Sequence, residues 1–373
     1  MRTSEQLYHQ VRWDPRFDPA RFVLGVAMRG AEPKRVPLPA FVPGGDVPWH
    51  RITFVEADGE LVWDRATGLD RIDRCTAGRV GTARRLRAPF FTARIPHAWD
   101  PAAARWRPTP AADGSPAPAA VRVLTWNTLW DRYDRDRIDT ARRRPLLLAE
   151  LAAADADVIA LQEAEPTLLD LLLAAPWVRA GYTVDVDPAG PDVADTGLLL
   201  LSRLPVVESG RHRLGPHKAV AAITVDTATG PLVVVTVHLT SDHTADGGTR
   251  RESELAAIAA GLAGVDGELV LVGDFNDGTD RPAAALRLRD AWPQVRGGAD
   301  DTPTFDPTTN PLAAISSLTG RPGRLDRVLL RGHSLVPTAA VLRGDRPAAL
   351  FPSDHFAVQV DLADRPHAPP AWA

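Results

Sequence analysis

At 373 residues the chain is long enough to bury two hydrophobic cores, and its charged fraction of 24% leaves no apolar run near the ~18 residues of a membrane span. Its single cysteine, Cys75, rules out an intrachain disulfide, fits a reducing cytoplasm and is expected to fill a core position. The net charge of −4 divides unevenly: residues 1–107 hold 18 Lys+Arg against 12 Asp+Glu and the rest hold 25 against 35, so a basic head precedes an acidic body with different partners.

Residues 1–14 lack the apolar core of a signal peptide, and a cytoplasmic protein is expected. Over residues 1–106, tryptophans sit beside basic side chains in Val11-Arg12-Trp13, Trp49-His50-Arg51 and Val62-Trp63-Asp64-Arg65. Indoles stack on bases and guanidinium groups pair with phosphate, so Arg12, Trp13, His50, Arg51, Trp63 and Arg65 are candidate nucleic-acid contacts. The same tryptophans also suit the core of a small domain. Residues 107–120 carry four prolines among small residues and read as an extended linker.

Beyond the linker, residues 121–126, 157–162, 196–202, 219–225, 232–239, 268–275, 325–330 and 356–362 read as short strands rich in Val, Ile and Leu. Several are apolar on both faces, as in sheets covered on both sides. Residues 142–154 and 250–262 read as helices; in the second, Leu255, Ile258, Ala259 and Leu262 recur at helical spacing. The alternation predicts an α/β domain over 121–363, followed by a disordered Pro-containing tail at 364–373.

Polar residues cluster where these strands end. Asn127 and Glu163 follow neighbouring strands, and a carboxylate is a hard oxygen ligand suited to Mg²⁺, which keeps several waters for a phosphate to displace. In Gly273-Asp274-Phe275-Asn276 the glycine permits a tight backbone turn, Asp274 can take a proton from water, and Asn276 can help hold that water. Asp326 paired with His355 would fix the imidazole tautomer and raise its pKa, so that it donates to a phosphate oxygen or leaving group. Asp354 is a second candidate metal ligand, directly or through water, and His238 a second donor to phosphate. A Ser/His/Asp esterase is the competing chemistry, but no Gly-x-Ser-x-Gly elbow occurs.

Taken in order, Trp126-Asn127, Gln162-Glu163, His238-Leu239, Gly273-Asp274-Phe275-Asn276, Arg324-Leu325-Asp326 and Ser353-Asp354-His355 resemble the motif series of the endonuclease/exonuclease/phosphatase superfamily. Within it the likeness is to 5′-tyrosyl-DNA phosphodiesterases, through His238 to Ser241, Arg250 and Arg251, Thr304-Phe305-Asp306, Asn310 and Phe351 to His355. Phe305 stands where that branch has Trp, and Asp277 where it places other residues, which leaves the leaving group open. This resemblance implies a four-layer α/β/β/α sandwich, Mg²⁺ or Mn²⁺ held by Glu163 and Asp354, and catalysis by Asn127, His238, Asp274, Asn276, Asp326 and His355.

Residues 1–106 resemble the MJ1316-type domain proposed to recognise RNA ends with cyclic phosphates, which implies a small separate α+β module. The expected protein is a divalent-metal-dependent phosphodiesterase or nuclease acting on RNA ends in RNA processing or repair, by direct attack of an activated water. It needs no membrane and no obligate protein partner. The alternatives are a phosphomonoesterase on small phosphorylated substrates and a catalytically idle RNA-binding adaptor.

Overall fold

The structure, a computed structural model, describes residues 1–14, 16–75, 77–79, 85–109, 119–228 and 230–365. Residues 110–118 of the expected linker and 366–373 of the expected tail lie outside the described residues. Two compact units are formed, Met1–Ala93 and Arg94–Ala373.

In the first unit, the helix Ser4–Trp13 begins at a capping box: the Thr3 hydroxyl accepts from the Gln6 amide at 3.1 Å, and the Gln6 side chain accepts from the Thr3 amide at 2.9 Å. Leu7, Tyr8 and Val11 fall on one helix face and are buried. They join Phe22, Leu24, Ile52, Val55 and Trp63 in a core built on a five-stranded antiparallel sheet. Its strand order is Ala31–Pro37, Phe22–Met28, Ile52–Ala57, Glu60–Asp64, Leu69–Asp70. This is a small α+β domain.

The second unit is the four-layer sandwich. One sheet runs Leu335–Arg343, Ala357–Asp364, Ala120–Asn127, Val158–Gln162, Leu199–Ser202, Thr183–Val184, His97–Asp100, Arg105–Pro108. The other runs Arg289–Asp290, Asp326–Arg331, Glu268–Asp274, Gly230–His238, Lys218–Thr227, Val206–Gly215 within this unit. Alternate residues face each other across the gap: Val121, Val123, Val158 and Ala160 from one sheet, and Ala221, Ile223, Val234, Val270 and Val272 from the other. The outward residues Leu124, Trp126, Ile159 and Leu161 pack on Leu147 and Leu151 of the helix Thr140–Ala154 and on Leu168 and Leu172 of Pro166–Ala174. On the opposite side, Arg331 donates to the carbonyls of Leu262 and Val265, tying the second sheet to the end of the helix Gly247–Leu262. Val233, Val235, Leu269 and Leu271, which alternate with the inward residues of this sheet, are buried as well, so its central strands are apolar on both faces.

All eight expected strands and both expected helices are present, with ends shifted by a few residues. The compact division falls at Ala93/Arg94, while the sequence places the boundary at 106/107. The difference comes from a hairpin: His97–Asp100 pairs with Arg105–Pro108 and also with Thr183–Val184, extending the first sheet. Trp99 and Trp106 face each other across it, and the Trp106 indole donates to the Leu173 carbonyl at 3.3 Å. Among the described residues no helix is long and apolar enough to cross a membrane.

Candidate active site

The strand ends meet at one edge of the sandwich. Ala120–Asn127 and Val158–Gln162 are parallel with Asn127 opposite Gln162, and Gly230–His238 and Glu268–Asp274 are parallel with His238 opposite Asp274. The antiparallel neighbour of the latter places Asp326 opposite Asp274. Beneath this edge Gln162 joins the two sheets: its amide nitrogen donates to Thr125 Oγ1 at 3.0 Å and to Thr236 Oγ1 at 2.9 Å. Gly273 is needed here, because at its φ of +139° a Cβ would lie 2.0 Å from the Val237 carbonyl oxygen.

Asp274 is held from both sides. Its Oδ2 accepts from the Asn127 side chain at 3.0 Å and its Oδ1 from the Asn276 backbone amide at 2.8 Å. Asn276, at φ 49°, spends its side-chain amide on the Leu239 carbonyl at 3.0 Å and more weakly on Asp274 at 3.4 Å, so it orients the carboxylate directly. Burial pushes Asp274 up to about 6 against the opposing pull of His355 and the Asn127 hydrogen bond. A carboxylate so placed is a base near neutral pH.

His355 Nδ1 lies 2.7 Å from Asp326 Oδ2, which also accepts from Thr304 Oγ1 at 2.7 Å, while the Asp326 and Leu325 amides donate back to Thr304. The Nε2 edge faces Asp274 Oδ2 at 3.8 Å. Burial opposes the charged imidazole, but Asp326 and Asp274 outweigh it and hold His355 well above its ordinary range. His238 goes the other way: burial, then Lys218 and His355, push it well below. Its Nε2 stands 3.7 Å from both Glu163 Oε1 and Asp274 Oδ2, beyond hydrogen-bond reach, and its Nδ1 is buried without a partner among the described residues.

Glu163, at φ 55°, receives the Trp130 backbone amide at Oε2 (3.1 Å) and keeps 14% of its side-chain surface accessible. Burial and the charge of Asp354 push it up to about 7. Asp354 Oδ2 accepts from the Ser316 hydroxyl at 2.9 Å, while its Oδ1 lies 3.2 Å from Ser353 Oγ, whose single proton is nearer the Asn127 carbonyl at 2.6 Å. The carboxylate and imidazole atoms of Asp274, Asp326 and His355 also lie within 4.8 Å of one another, with Asp274 held by Asn127 and Asn276 and Asp326 Oδ2 by His355. Asp326 Oδ1 is buried without a partner. The donor set is one of hard carboxylate oxygens in excess of the nearby cations, and it fits a small divalent cation held chiefly by Glu163.

Three further side chains belong to this neighbourhood and carry no sequence motif. Lys218 is nearly buried, donates to the Leu239 carbonyl at 2.9 Å, and is pushed down by burial against the pull of Asp274 and Glu163. Arg143, fully buried, has no carboxylate partner among the described residues; it donates to the carbonyls of Thr128 (2.7 Å), Leu129 and Pro352 (3.3 Å), pinning the segments that follow Asn127 and precede Ser353. Trp130 sits with its ring 6.1 Å from that of His238.

The six candidates of the first unit are not alike. Trp63 is 1% exposed and its indole donates to the Arg2 carbonyl at 2.9 Å, so it is a core residue and offers no face to a base. Arg51 donates to the Ala27 carbonyl, and Arg65 to the carbonyls of Ile52 and Trp49 and to Ser4 Oγ. His50 and Arg12 are exposed, and Trp13 is 74% exposed with the Arg12 guanidinium 5.9 Å from its ring centroid.

Comparison with known proteins agrees with this division. The profile described as Endonuclease/Exonuclease/phosphatase family matches residues 124–355, and that described as MJ1316 RNA cyclic group end recognition domain matches residues 1–65. D. rerio TDP2 complexed with a single-strand DNA product is 19% identical with a TM-score of 0.53, over 65% of this chain and 99% of that one. The human nocturnin catalytic domain with bound sulfate is 20% identical with a TM-score of 0.51, over 67% and 97%. Sphingomyelinase C from Streptomyces griseocarneus, 20% identical with a TM-score of 0.51, is matched over 65% and 99%. At such identities the likeness is one of fold.

Proposed function

Because this chain belongs to the endonuclease/exonuclease/phosphatase family, we propose that it is a divalent-metal-dependent phosphodiesterase that hydrolyses nucleic-acid ends, RNA above all, in RNA processing or repair in the cytoplasm. The observation that carries this reading is the convergence of Asn127, Glu163, His238, Asp274, Asp326 and His355 on one edge, with Asp274 hydrogen-bonded as a base and His355 as a charged donor.

Glu163 would hold Mg²⁺ or Mn²⁺, with Asp354 beside it through its charge or a bridging water. The cation's chemistry is to offset phosphate charge and acidify a water. Asp274, fixed by Asn127 and Asn276, takes the proton of the attacking water. His355, its Nδ1–H anchored on Asp326, presents Nε2–H to a nonbridging oxygen of phosphate, and neutral His238 presents a second N–H. Among the described residues the hydroxyls of the cluster, Thr304 and Ser353, donate to Asp326 and to the Asn127 carbonyl and neither is bonded to an imidazole base, in accord with direct attack by water. The MJ1316 match and the exposed Arg12/Trp13 pair support recruitment of RNA ends by the first unit.

The test is a substrate profile of full-length protein: RNA and DNA oligonucleotides differing only in their terminal group, a small generic phosphodiester and a phosphomonoester, with Mg²⁺ and with EDTA. Metal-dependent cleavage of oligonucleotides, best on RNA, is expected. Turnover confined to the phosphomonoester, or none on any ester, would overturn the reading.

A further inference from the structure

The segment after Asn127 carries Trp130, whose ring centroid is 6.1 Å from that of His238, followed by Arg132 and Tyr133. The Trp130 backbone amide donates directly to the carboxylate of Glu163, the proposed metal ligand, at 3.1 Å. The ring edge rests against Gly197, where a Cβ would lie 3.4 Å from Trp130 Cζ3 and 3.2 Å from Glu163 Cα. Arg132 lies over this ring with its guanidinium carbon 4.4 Å from the centroid, and its Nη2 donates to the Ala194 carbonyl at 2.7 Å. Stacking and hydrogen bond together fix the guanidinium plane.

Charge singles out Arg132 further. Its neighbours Arg135, Arg137 and Arg142 are paired with Asp131, Asp134 and Asp139 at 3.5, 3.1 and 3.0 Å. Among the described residues Arg132 has no carboxylate partner, and it is exposed. Beside it Tyr133 is 70% exposed. An oriented, unneutralised guanidinium laid on an indole offers a flat cationic face, the surface on which unpaired bases stack.

We propose that Trp130 and Arg132 form a stacking subsite for the nucleobase adjoining the phosphate that is cut, in a single-stranded nucleic-acid end. This rests on the hydrolase reading above and adds to it a residue-level account of substrate choice. The indole positions the guanidinium, the guanidinium meets the base, and the adjoining phosphate is thereby directed to His238 and Asp274.

The experiment compares RNA oligonucleotides that differ only by an abasic nucleotide on either side of the cut, using wild type, Arg132→Ala, Arg132→Lys and Trp130→Leu. Wild type is expected to favour the base-bearing strand by about tenfold in kcat/KM, the scale of one stacked base. Arg132→Ala should erase most of that ratio through KM. Arg132→Lys should not restore it, since an ammonium keeps the charge without the flat face. Trp130→Leu should erase it as well. Equal losses on base-bearing and abasic strands, or rescue by lysine, would make Arg132 a phosphate contact and overturn the subsite. Cleavage by wild type without base preference would overturn the subsite and leave the hydrolase reading standing; no cleavage of any strand would remove both.

Discussion

The strand-end edge of the sandwich and the surface of the first unit treat polar side chains in opposite ways. At the edge, Asn127, His238, Asp274, Asp326, Asp354 and His355 are all 5% exposed or less; all but His238 are joined by hydrogen bonds directly or through Ser353, and the His238 ring stands 3.7 Å from the nearest carboxylate oxygens. On the first unit, the indoles and guanidinium groups separate: Trp63 goes to the core, Arg51 and Arg65 serve backbone carbonyls, and Trp13 with Arg12 stays in solvent. Burying ionisable groups is costly unless each is paired, and such clusters persist where their chemistry is used. Residues of the first kind should therefore matter to turnover more than to stability, and buried residues of the second kind the reverse.

The largest expected effect is on the second kind. Trp63→Ala should destabilise the first unit by about 3–5 kcal/mol, whereas Trp13→Ala should stay within about 0.5 kcal/mol and lower affinity for RNA ends. Denaturant unfolding with an oligonucleotide binding assay checks both; equal stability losses would dissolve the contrast. At the edge, Asp274→Asn and His355→Ala should each lower kcat by at least ~10²-fold with modest change in KM and no loss of Tm. A raised KM at unchanged kcat would turn both into binding residues.

A smaller effect is expected of Arg143, which is buried like a core residue yet ties two segments of the site together. Arg143→Met should cost about tenfold in kcat together with about 1–3 kcal/mol of stability, because three carbonyls lose their donor. Loss of stability with kcat intact would make its role structural alone.

The smallest is a pH effect. Glu163 and Asp274, pushed up to about 7 and 6, carry protons in the metal-free protein that a cation must displace. Mg²⁺ affinity should rise through pH 6–7 and level off above. Because these folded-state values exceed the ordinary carboxylate range near ~4, the metal-free fold should lose stability as pH rises from ~4 through the folded values of about 6 and 7, and level off above them. Calorimetry in two buffers of different ionisation enthalpy should find proton release at pH 6 and little at pH 8; equal release at both would show the carboxylates already ionised.

Much of this was legible in the residues. Strands such as Gly230–His238 are apolar on both faces and need no partner to be recognised, and the proposed catalytic groups sit at their ends. Val206–Gly215 was hidden because its buried Arg211, paired with Asp185 at 3.0 Å, interrupts the apolar pattern. The hairpin of Trp99 and Trp106 falls in the expected head because the four-proline stretch at 107–120 is the visible break in composition, and it lies beyond the hairpin. Lys218 and Arg143 lay beyond reach for a different reason: each acts through a backbone carbonyl far along the chain, which only sheet register and helix placement bring near. Trp63 shows the reverse error, since an indole beside arginine looks the same in a core and on a binding face.

The most direct test of the central claim is the single-turnover rate of RNA oligonucleotide cleavage by wild type and Glu163→Ala across a Mg²⁺ titration, with Tm recorded for both. Wild type should show saturable Mg²⁺-dependent cleavage that EDTA abolishes, while Glu163→Ala, folded to the same Tm, shows none at any Mg²⁺ concentration. Cleavage by Glu163→Ala at the wild-type rate, or cleavage by wild type that persists in EDTA, would contradict the account.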